Sequence, residues 1–183
     1  MCEIMAKLMD LKTCLNMSKK YIFWILIIVL VYFTKNDAMP VYAPNRDYIN
    51  IEYQLVEQFI LAQDSSVIEL LAGHFLLSQS LSIDGKTNLT IRGQGMDETV
   101  LSFLGQTSSA EGIKITNSRN IVLEDFAIED AAGDSLKVSD TDSLVIRRIR
   151  SAWTGEVSVE NGAYGIYPVL STKVIIEDCE AIG

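Results

Sequence analysis

The sequence has few of the residues from which metal sites and nucleophilic triads are built. It contains one histidine, His74, and three cysteines, Cys2, Cys14 and Cys179, in 183 residues. A single histidine excludes a histidine-rich zinc site, and the wide cysteine spacing fits neither a metal motif nor a disulfide framework. No nucleophile-elbow or oxyanion motif lies near His74. We therefore predict that His74 is an ordinary strand or turn residue.

Basic residues are also in short supply. The chain has 15 Lys and Arg against 24 Asp and Glu, for a formal net charge of −9. Because affinity for nucleic acid comes mainly from clustered basic side chains, this balance excludes a general nucleic-acid-binding surface. Apolar residues make up 49% of the chain and charged residues 21%, which excludes a disordered chain and indicates a globular core.

A run of uncharged residues lies near the N-terminus. Residues 21–33 read YIFWILIIVLVYF and follow two lysines. The run is short for a membrane-spanning helix, which needs about twenty residues, and is typical of an export signal. We assign residues 1–38 to a signal peptide or an uncleaved signal anchor, with Met1 or Met17 as the true start; a buried core helix is the alternative. Either export hypothesis places the remainder outside the cytoplasm, as a secreted, periplasmic or membrane-anchored protein.

An internal repeat organises the rest of the chain. The segments KTNLTIRG, SRNIVLED, TDSLVIRR and STKVIIED start at residues 86, 118, 141 and 171, which gives offsets of 32, 23 and 30 residues. A second pattern, GIKI, SLKV and GIYP at residues 112, 135 and 165, keeps the last two offsets. Apolar and polar residues alternate in each unit, as in a strand with one buried face. The two patterns together predict stacked coils of parallel strands, a β-solenoid.

Stacking the coils places equivalent residues in columns. Three interior columns are predicted: Leu89, Ile121, Leu144 and Val174; Ile91, Leu123, Ile146 and Ile176; Phe126, Ile149 and Cys179. The outward positions form two rows in which acid and base alternate: Glu124, Arg147 and Glu177; Asp125, Arg148 and Asp178. Opposite charges on neighbouring strands favour this alignment by roughly 0.2 to 1 kcal/mol for each pair.

A helix is predicted ahead of the coils. Residues 51–62 read IEYQLVEQFILA, and their apolar residues fall on one side of a helix: Leu55, Val56, Phe59 and Ile60. Such a helix would cover the first coil, whose apolar side chains and strand edge are otherwise exposed. We therefore assign residues 39–65 to a linker and an N-terminal capping helix, and residues 66–183 to the coils.

These segments resemble a known family. After the predicted helix, SVIELLAGHF at residues 66–75, LSIDGKTNLTIRGQG at 81–95 and TVLSF at 99–103 are similar to the entry into right-handed parallel β-helix proteins of the pectin-lyase-like superfamily. GAYGIY at 162–167 and VIIED at 174–178 resemble internal coils of these proteins. The resemblance covers about residues 50–183 and implies an all-β, right-handed parallel β-helix. Family members continue for several more coils, so it also implies a chain that is truncated at its C-terminus.

The resemblance is specific for the fold but not for an activity. Polysaccharide lyases, uronan epimerases, hydrolases and noncatalytic surface proteins all share this scaffold. In the lyases and epimerases it implies a shallow groove along one sheet. Acidic residues there bind calcium or neutralise a uronate, and a Lys, Arg or Tyr removes the proton beside the carboxylate. The candidate oxygen ligands for calcium are Asp125, Asp130, Asp134 and Asp178, with solvated turn carboxylates as the alternative.

Few side chains are available as a base or as sugar contacts. The candidates for a catalytic role are Arg150, Lys137 and Tyr167, and those for substrate contact are Lys114, Trp153 and Tyr164. Lys114, Lys137 and Tyr167 are predicted to share an outward column. Trp153 and Tyr164 bound an inserted stretch and can stack on sugar rings or pack locally. Arg147, Arg148 and Arg150 form the densest basic cluster. Arg148 is predicted to be paired with an acidic residue, and Arg150 is predicted to be the freest of the three.

Two hypotheses of function follow. The first is an exported β-helix protein that is related to polyuronate lyases or epimerases and that acts on or binds an acidic polysaccharide such as pectate or alginate. On this hypothesis the chain is an inactive or incomplete fragment of that protein. The second is a noncatalytic surface or envelope solenoid that binds glycan or protein. For these 183 residues the second is preferred, because no base, metal cluster and substrate subsite converge in the sequence.

Overall fold

The structure is a computed structural model and describes residues 46–107, 110–155, 161–162 and 164–183. Within these residues the chain forms a parallel β-solenoid of about 5 turns with one short helix. The elements in chain order are β1 Tyr48–Ile49, α1 Glu52–Ile60, β2 Val67–Glu69, β3 Gly73–Leu76, β4 Leu81–Asp84, β5 Thr87–Arg92, β6 Thr99–Ser102, β7 Ile113–Thr116, β8 Arg119–Glu129, β9 Leu136–Ser139, β10 Asp142–Ala152, β11 Ile166–Val169, β12 Thr172–Glu177 and β13 Glu180–Ile182. All strand pairings among them are parallel.

Each turn of the solenoid contributes to three faces. The first face consists of stacked strands in the order β2, β5, the start of β8, the start of β10, and β12. The second face consists of β1, β3, β6, the end of β8, the end of β10, and β13, in that order. The third face stacks β4, β7, β9 and β11. β8 and β10 each run across the corner between the first two faces, where Asp125 and Arg148 take φ values of 65° and 50°. This left-handed backbone turns the strand without ending it.

The observed register confirms the predicted repeat. Leu89 pairs with Ile121, Ile121 with Leu144, and Leu144 with Val174. The next column, from Ile91 to Ile176, keeps the same order. The columns are buried through the middle coils, where Leu123 and Ile146 have no exposed surface, whereas Ile176 in the last described coil is 48% exposed. The columns therefore form one continuous apolar interior.

The predicted capping helix is confirmed with shorter bounds, Glu52–Ile60. It buries Leu55 and Phe59 against the interior, and Val56 packs there in part. The prediction that Ile60 faces the interior is wrong, since its side chain is 65% exposed. Successive helical residues are separated by about 100° around the axis, which places Ile60 well away from the direction shared by Leu55 and Phe59. The Glu52 carboxylate also fixes the helix, because it accepts hydrogen bonds from the backbone N and Oγ of Ser78 at 2.8 and 2.9 Å.

Two other predictions concern the N-terminal part of the chain and His74. No helix in the part of the chain that the structure describes is long and apolar enough to cross a bilayer. The predicted signal or anchor segment, residues 1–38, lies outside the described residues. His74 is a strand residue, as predicted, and pairs with Tyr48 on one side and Val100 on the other.

Candidate functional site

The third face of the solenoid brings three of the predicted site residues together. Lys114 lies opposite Lys137, and Lys137 lies opposite Tyr167, on the neighbouring strands β7, β9 and β11. The alternate residues of β7 and β9 point inward and are buried, so Lys114 and Lys137 project to the outside, and Tyr167 keeps the same register on β11. Neighbouring strands are about 4.8 Å apart, so the three side chains follow one another along the solenoid axis. The predicted column is therefore observed.

Two carboxylates accompany this column. Glu111 and Asp134 each lie three residues before a lysine, in turns that are joined by a 2.9 Å hydrogen bond from Gly112 N to Asp134 O. Lys137 Nζ is 3.4 Å from Asp134 Oδ2 and 3.5 Å from Glu111 Oε1, and Lys114 Nζ is 3.8 Å from Glu111 Oε1. Sequence reasoning did not identify Glu111. The available signal was an acid three residues before a lysine in two successive coils.

Two tyrosines complete the site. Tyr164 occupies the position before β11 that Asp134 occupies before β9, and its ring stacks on that of Tyr167 with centroids 4.6 Å apart and planes inclined by 23°. Lys137 Nζ lies 5.7 Å from the Tyr167 ring centroid. Tyr164 keeps 55% of its surface exposed. The pair therefore presents aromatic surface to solvent beside the charged groups. We refer to these six residues as the lysine–tyrosine face: Glu111, Lys114, Asp134, Lys137, Tyr164 and Tyr167.

The charges on this face stabilise one another. The hydrogen bond to Asp134 raises the pKa of Lys137, against the opposing effect of burial. Burial would raise the pKa of Glu111, but a backbone N–H and the charges of Lys114 and Lys137 outweigh it and hold that pKa below its ordinary value. Lys137 is therefore protonated at neutral pH. A protonated lysine donates hydrogen bonds and is poorly suited to the proton-removing role considered from the sequence.

Contrary to the prediction, Arg150 is not freer than Arg147 and Arg148. Its side chain is only 18% exposed, compared with 38% for Arg147 and 41% for Arg148. It forms an ion pair with Asp97, donates to the Met96 carbonyl at 2.8 Å, and lies 3.9 Å from Glu129. The prediction was wrong because residues 96 and 97 belong to a turn whose path is not specified by the strand repeat. Arg150 lies on the second face, apart from the lysine–tyrosine face.

The four candidate calcium ligands, all of them described residues, do not come together in one cluster. Asp125 accepts two hydrogen bonds from Arg148, at 2.6 and 2.8 Å. Asp130 accepts from the backbone N and Oγ1 of Thr154 at 2.7 and 2.8 Å. Asp134 binds Lys137, and Asp178 is exposed after β12. Among the residues that the structure describes, no three potential ligands are grouped so that they could hold a metal ion. The calcium role stays a prediction.

The two aromatic candidates are in different surroundings. Trp153 donates from Nε1 to the Ala131 carbonyl at 2.8 Å. Its ring also approaches Gly162, where an added Cβ would lie 2.8 Å from a ring carbon. Trp153 therefore packs locally, whereas Tyr164 belongs to the lysine–tyrosine face.

Comparison with known proteins gives little information on activity. No family model and no curated protein matches the chain. A solved structure to which the chain is distantly similar is that of a protein from Parabacteroides merdae described as a "putative glycosyl hydrolase". It is 11% identical, with a TM-score of 0.35, and the alignment covers 65% of this chain and 75% of that one. The similarity is too distant to assign an activity.

Proposed function

We propose that this chain is a glycan-binding β-solenoid and that the lysine–tyrosine face is its noncatalytic binding surface. The observation that carries the proposal is the stacked Tyr164 and Tyr167 pair, which lies beside two lysines and two carboxylates on one face. An aromatic ring can pack against the apolar side of a sugar ring, and neighbouring charged groups can donate to and accept from its hydroxyls.

The environment of the candidate bases supports binding without catalysis. A lyase or epimerase of uronans needs a base that is free to accept the proton beside the carboxylate. Lys137 is held in its protonated form by Asp134 and Glu111. Arg150 is engaged by Asp97 and the Met96 carbonyl. Neither of these two side chains is arranged as an available base, and the third candidate, Tyr167, is stacked on Tyr164.

The proposal includes an extracytoplasmic location and kinship with the pectin-lyase-like superfamily. The location is supported by the apolar run at residues 21–33 and the two lysines before it. The kinship is supported by the parallel coils and by the capping helix α1, both of which the resemblance implies.

Binding can be tested with the full chain in affinity electrophoresis through gels that contain soluble polysaccharides, neutral and acidic. We expect at least one polymer to retard the protein. We expect Tyr167→Ala to raise the Kd for that polymer about tenfold. Tyr53→Ala is the matched control, because Tyr53 is 75% exposed on α1; it should bind as the original chain does. Absence of retardation by every polymer, or unchanged binding by Tyr167→Ala, would refute the proposal.

Catalysis can be tested separately. The full chain is incubated with polyuronates and calcium, ultraviolet absorbance is followed for the double bond that a lyase creates, and NMR of the polymer detects epimerisation. We expect neither signal. A calcium-dependent gain in absorbance would replace the noncatalytic proposal with the lyase hypothesis.

A further inference from the structure

We infer that the ligand of the lysine–tyrosine face is a neutral glycan, recognised through its hydroxyl groups, rather than a polyuronate. This inference rests on the proposed glycan-binding function and specifies its ligand class. It differs from the acidic polysaccharide that the family resemblance implies.

Both lysines already have anionic partners. Lys137 Nζ lies within 3.5 Å of both Asp134 and Glu111, and Lys114 Nζ lies 3.8 Å from Glu111. A uronate carboxylate that approached Lys137 would come close to the two protein carboxylates that share its ammonium group. Like charges at such separations repel, and they do so more strongly where water is partly excluded. The six residues carry two positive and two negative charges, so the face has no excess of positive charge.

The paired charged groups also retain hydrogen-bonding capacity. An ammonium has three donors and a carboxylate has about four acceptor positions, so even the two ion pairs that Lys137 and Glu111 each make saturate neither group. Lys114 keeps 43% of its side chain exposed, and Glu111 and Asp134 keep 19% and 12%. The lysine side chains are therefore more exposed to solvent than the carboxylates beside them. A sugar with several hydroxyls can donate to the carboxylates and accept from the lysines without adding net charge.

The two tyrosines are suited to an uncharged ligand. Stacking of an aromatic ring on the C–H surface of a sugar does not require a charge on the ligand. The stacked pair lies on the last of the three coils, after the two lysines along the solenoid axis. A neutral oligosaccharide lying along this axis would contact charged groups on two coils and aromatic groups on the third. The net charge of −9 on the chain would in addition disfavour the approach of a polyanion.

The ligand class can be tested with oligosaccharide pairs that differ only by oxidation at C6: mannose and mannuronate, galactose and galacturonate, glucose and glucuronate oligomers. The full chain is titrated with each pair by calorimetry at low and high salt. We expect at least one neutral oligomer to bind about tenfold more tightly than its uronate, with a Kd that salt hardly changes, because binding neutralises no net charge. Tighter, salt-sensitive binding of a uronate would overturn the neutral-glycan inference but leave the proposed function standing. Binding to neither class would overturn both.

A charge-neutralising variant provides an independent test. Glu111→Gln with Asp134→Asn keeps the size of both side chains and releases the two ammonium groups. We expect uronate binding to strengthen by about tenfold and neutral binding to weaken, so that the preference moves toward the acidic ligand. Circular dichroism verifies folding, and the single variants replace the double variant if it does not fold. Glu57→Gln, on exposed helix surface, is the control. An unchanged preference in folded variants would overturn the inference.

Discussion

Arg147 and Glu124 face each other across neighbouring coils, with Arg147 Nε 2.6 Å from Glu124 Oε2. Glu124 also accepts a 2.5 Å hydrogen bond from Arg92 Nε, and its side chain is only 2% exposed. The residue is the centre of a row in which the sign of the charge alternates through five coils: Glu69, Arg92, Glu124, Arg147 and Glu177. Three members were predicted from the sequence, and the structure adds Glu69 and Arg92.

Replacement of the central carboxylate should destabilise the solenoid. Glu124→Gln removes the charge that faces Arg92 and Arg147, and we expect the free energy of unfolding to fall by about 1 to 3 kcal/mol. The loss is limited because both arginines are more than a third exposed. Chemical denaturation of the full chain gives the value. Glu177→Gln, at the exposed end of the same row, is the control and should change stability by less than about 0.5 kcal/mol. Equal losses in the two variants would contradict this account.

The carboxylates of the corner should make stability depend on acidic pH. The hydrogen bonds from Arg148 lower the pKa of Asp125, against the opposing effect of burial. Burial would raise the pKa of Glu124, but Arg92 and Arg147 outweigh it and lower that pKa too. A carboxyl whose folded pKa lies below its unfolded value stabilises the fold above the unfolded value. That contribution is lost as the pH falls through the folded pKa.

The free energy of unfolding should therefore stay constant from neutral pH down to about pH 5. It should then decrease as the pH falls below the ordinary pKa values of the two carboxyl groups, 4.5 for Glu124 and 3.8 for Asp125. Asp125→Asn should reduce the steepness of this decrease, because the asparagine cannot be protonated in this range. Denaturant midpoints measured at successive pH values test the expectation. A variant with the same pH dependence as the original chain would exclude Asp125 as a contributor.

Gly93 should tolerate no side chain. An added Cβ would lie 2.1 Å from the backbone oxygen of Asp125 in the next coil, and a backbone atom cannot rotate away. We expect Gly93→Ala to lower the free energy of unfolding by about 3 kcal/mol or more, because the coils must separate locally. Gly155→Ala is the matched control, since a Cβ there meets no atom within 4 Å. Similar stabilities of the two variants would show that the coil spacing at Gly93 is adaptable.

The attachment of the capping helix should depend on Glu52. Glu52→Ala removes the acceptor for the Ser78 backbone N and hydroxyl, so α1 should open more readily, by about 1 to 2 kcal/mol. Hydrogen exchange of the α1 amides measures this opening locally. Glu57→Ala changes an exposed residue of the same helix and should leave the exchange unaltered. Unchanged α1 protection in Glu52→Ala would mean that the buried Leu55 and Phe59 alone hold the helix.

The interior of the solenoid could be predicted because strand periodicity and coil offset together determine it. Leu123 and Ile146 occupy the same position in units 23 residues apart, and this spacing is the observed register. The same reasoning was insufficient for Val67–Glu69, which pairs with β5 but has only three residues. The exposed position of Ile60 could not be inferred from its apolar character alone. Its direction depends on how α1 rotates to bury Leu55 and Phe59.

The candidate site was predicted in part for a similar reason. Lys114, Lys137 and Tyr167 follow from strand register, and their shared column was predicted. Glu111 lies in a turn that has no alternating pattern, so its contact with the lysines became apparent only in the structure. The contact between Arg150 and Asp97 likewise depends on a turn, and these residues are 53 positions apart. Side chains on strands are therefore easier to place from sequence than those on turns.

The alternating row also bears on how the chain avoids misassembly. A coil that skipped its neighbour and docked on the next one would bring Glu124 against Glu69 or Glu177, and Arg92 against Arg147, because every second member has the same sign. This skipped pairing would place like charges opposite each other along the row, and their repulsion would disfavour it. The apolar interior has similar residues in each coil, so it would oppose the skipped pairing only weakly. The alternating charges therefore favour the pairing of each coil with its own neighbour, a distinction that the apolar interior makes only weakly.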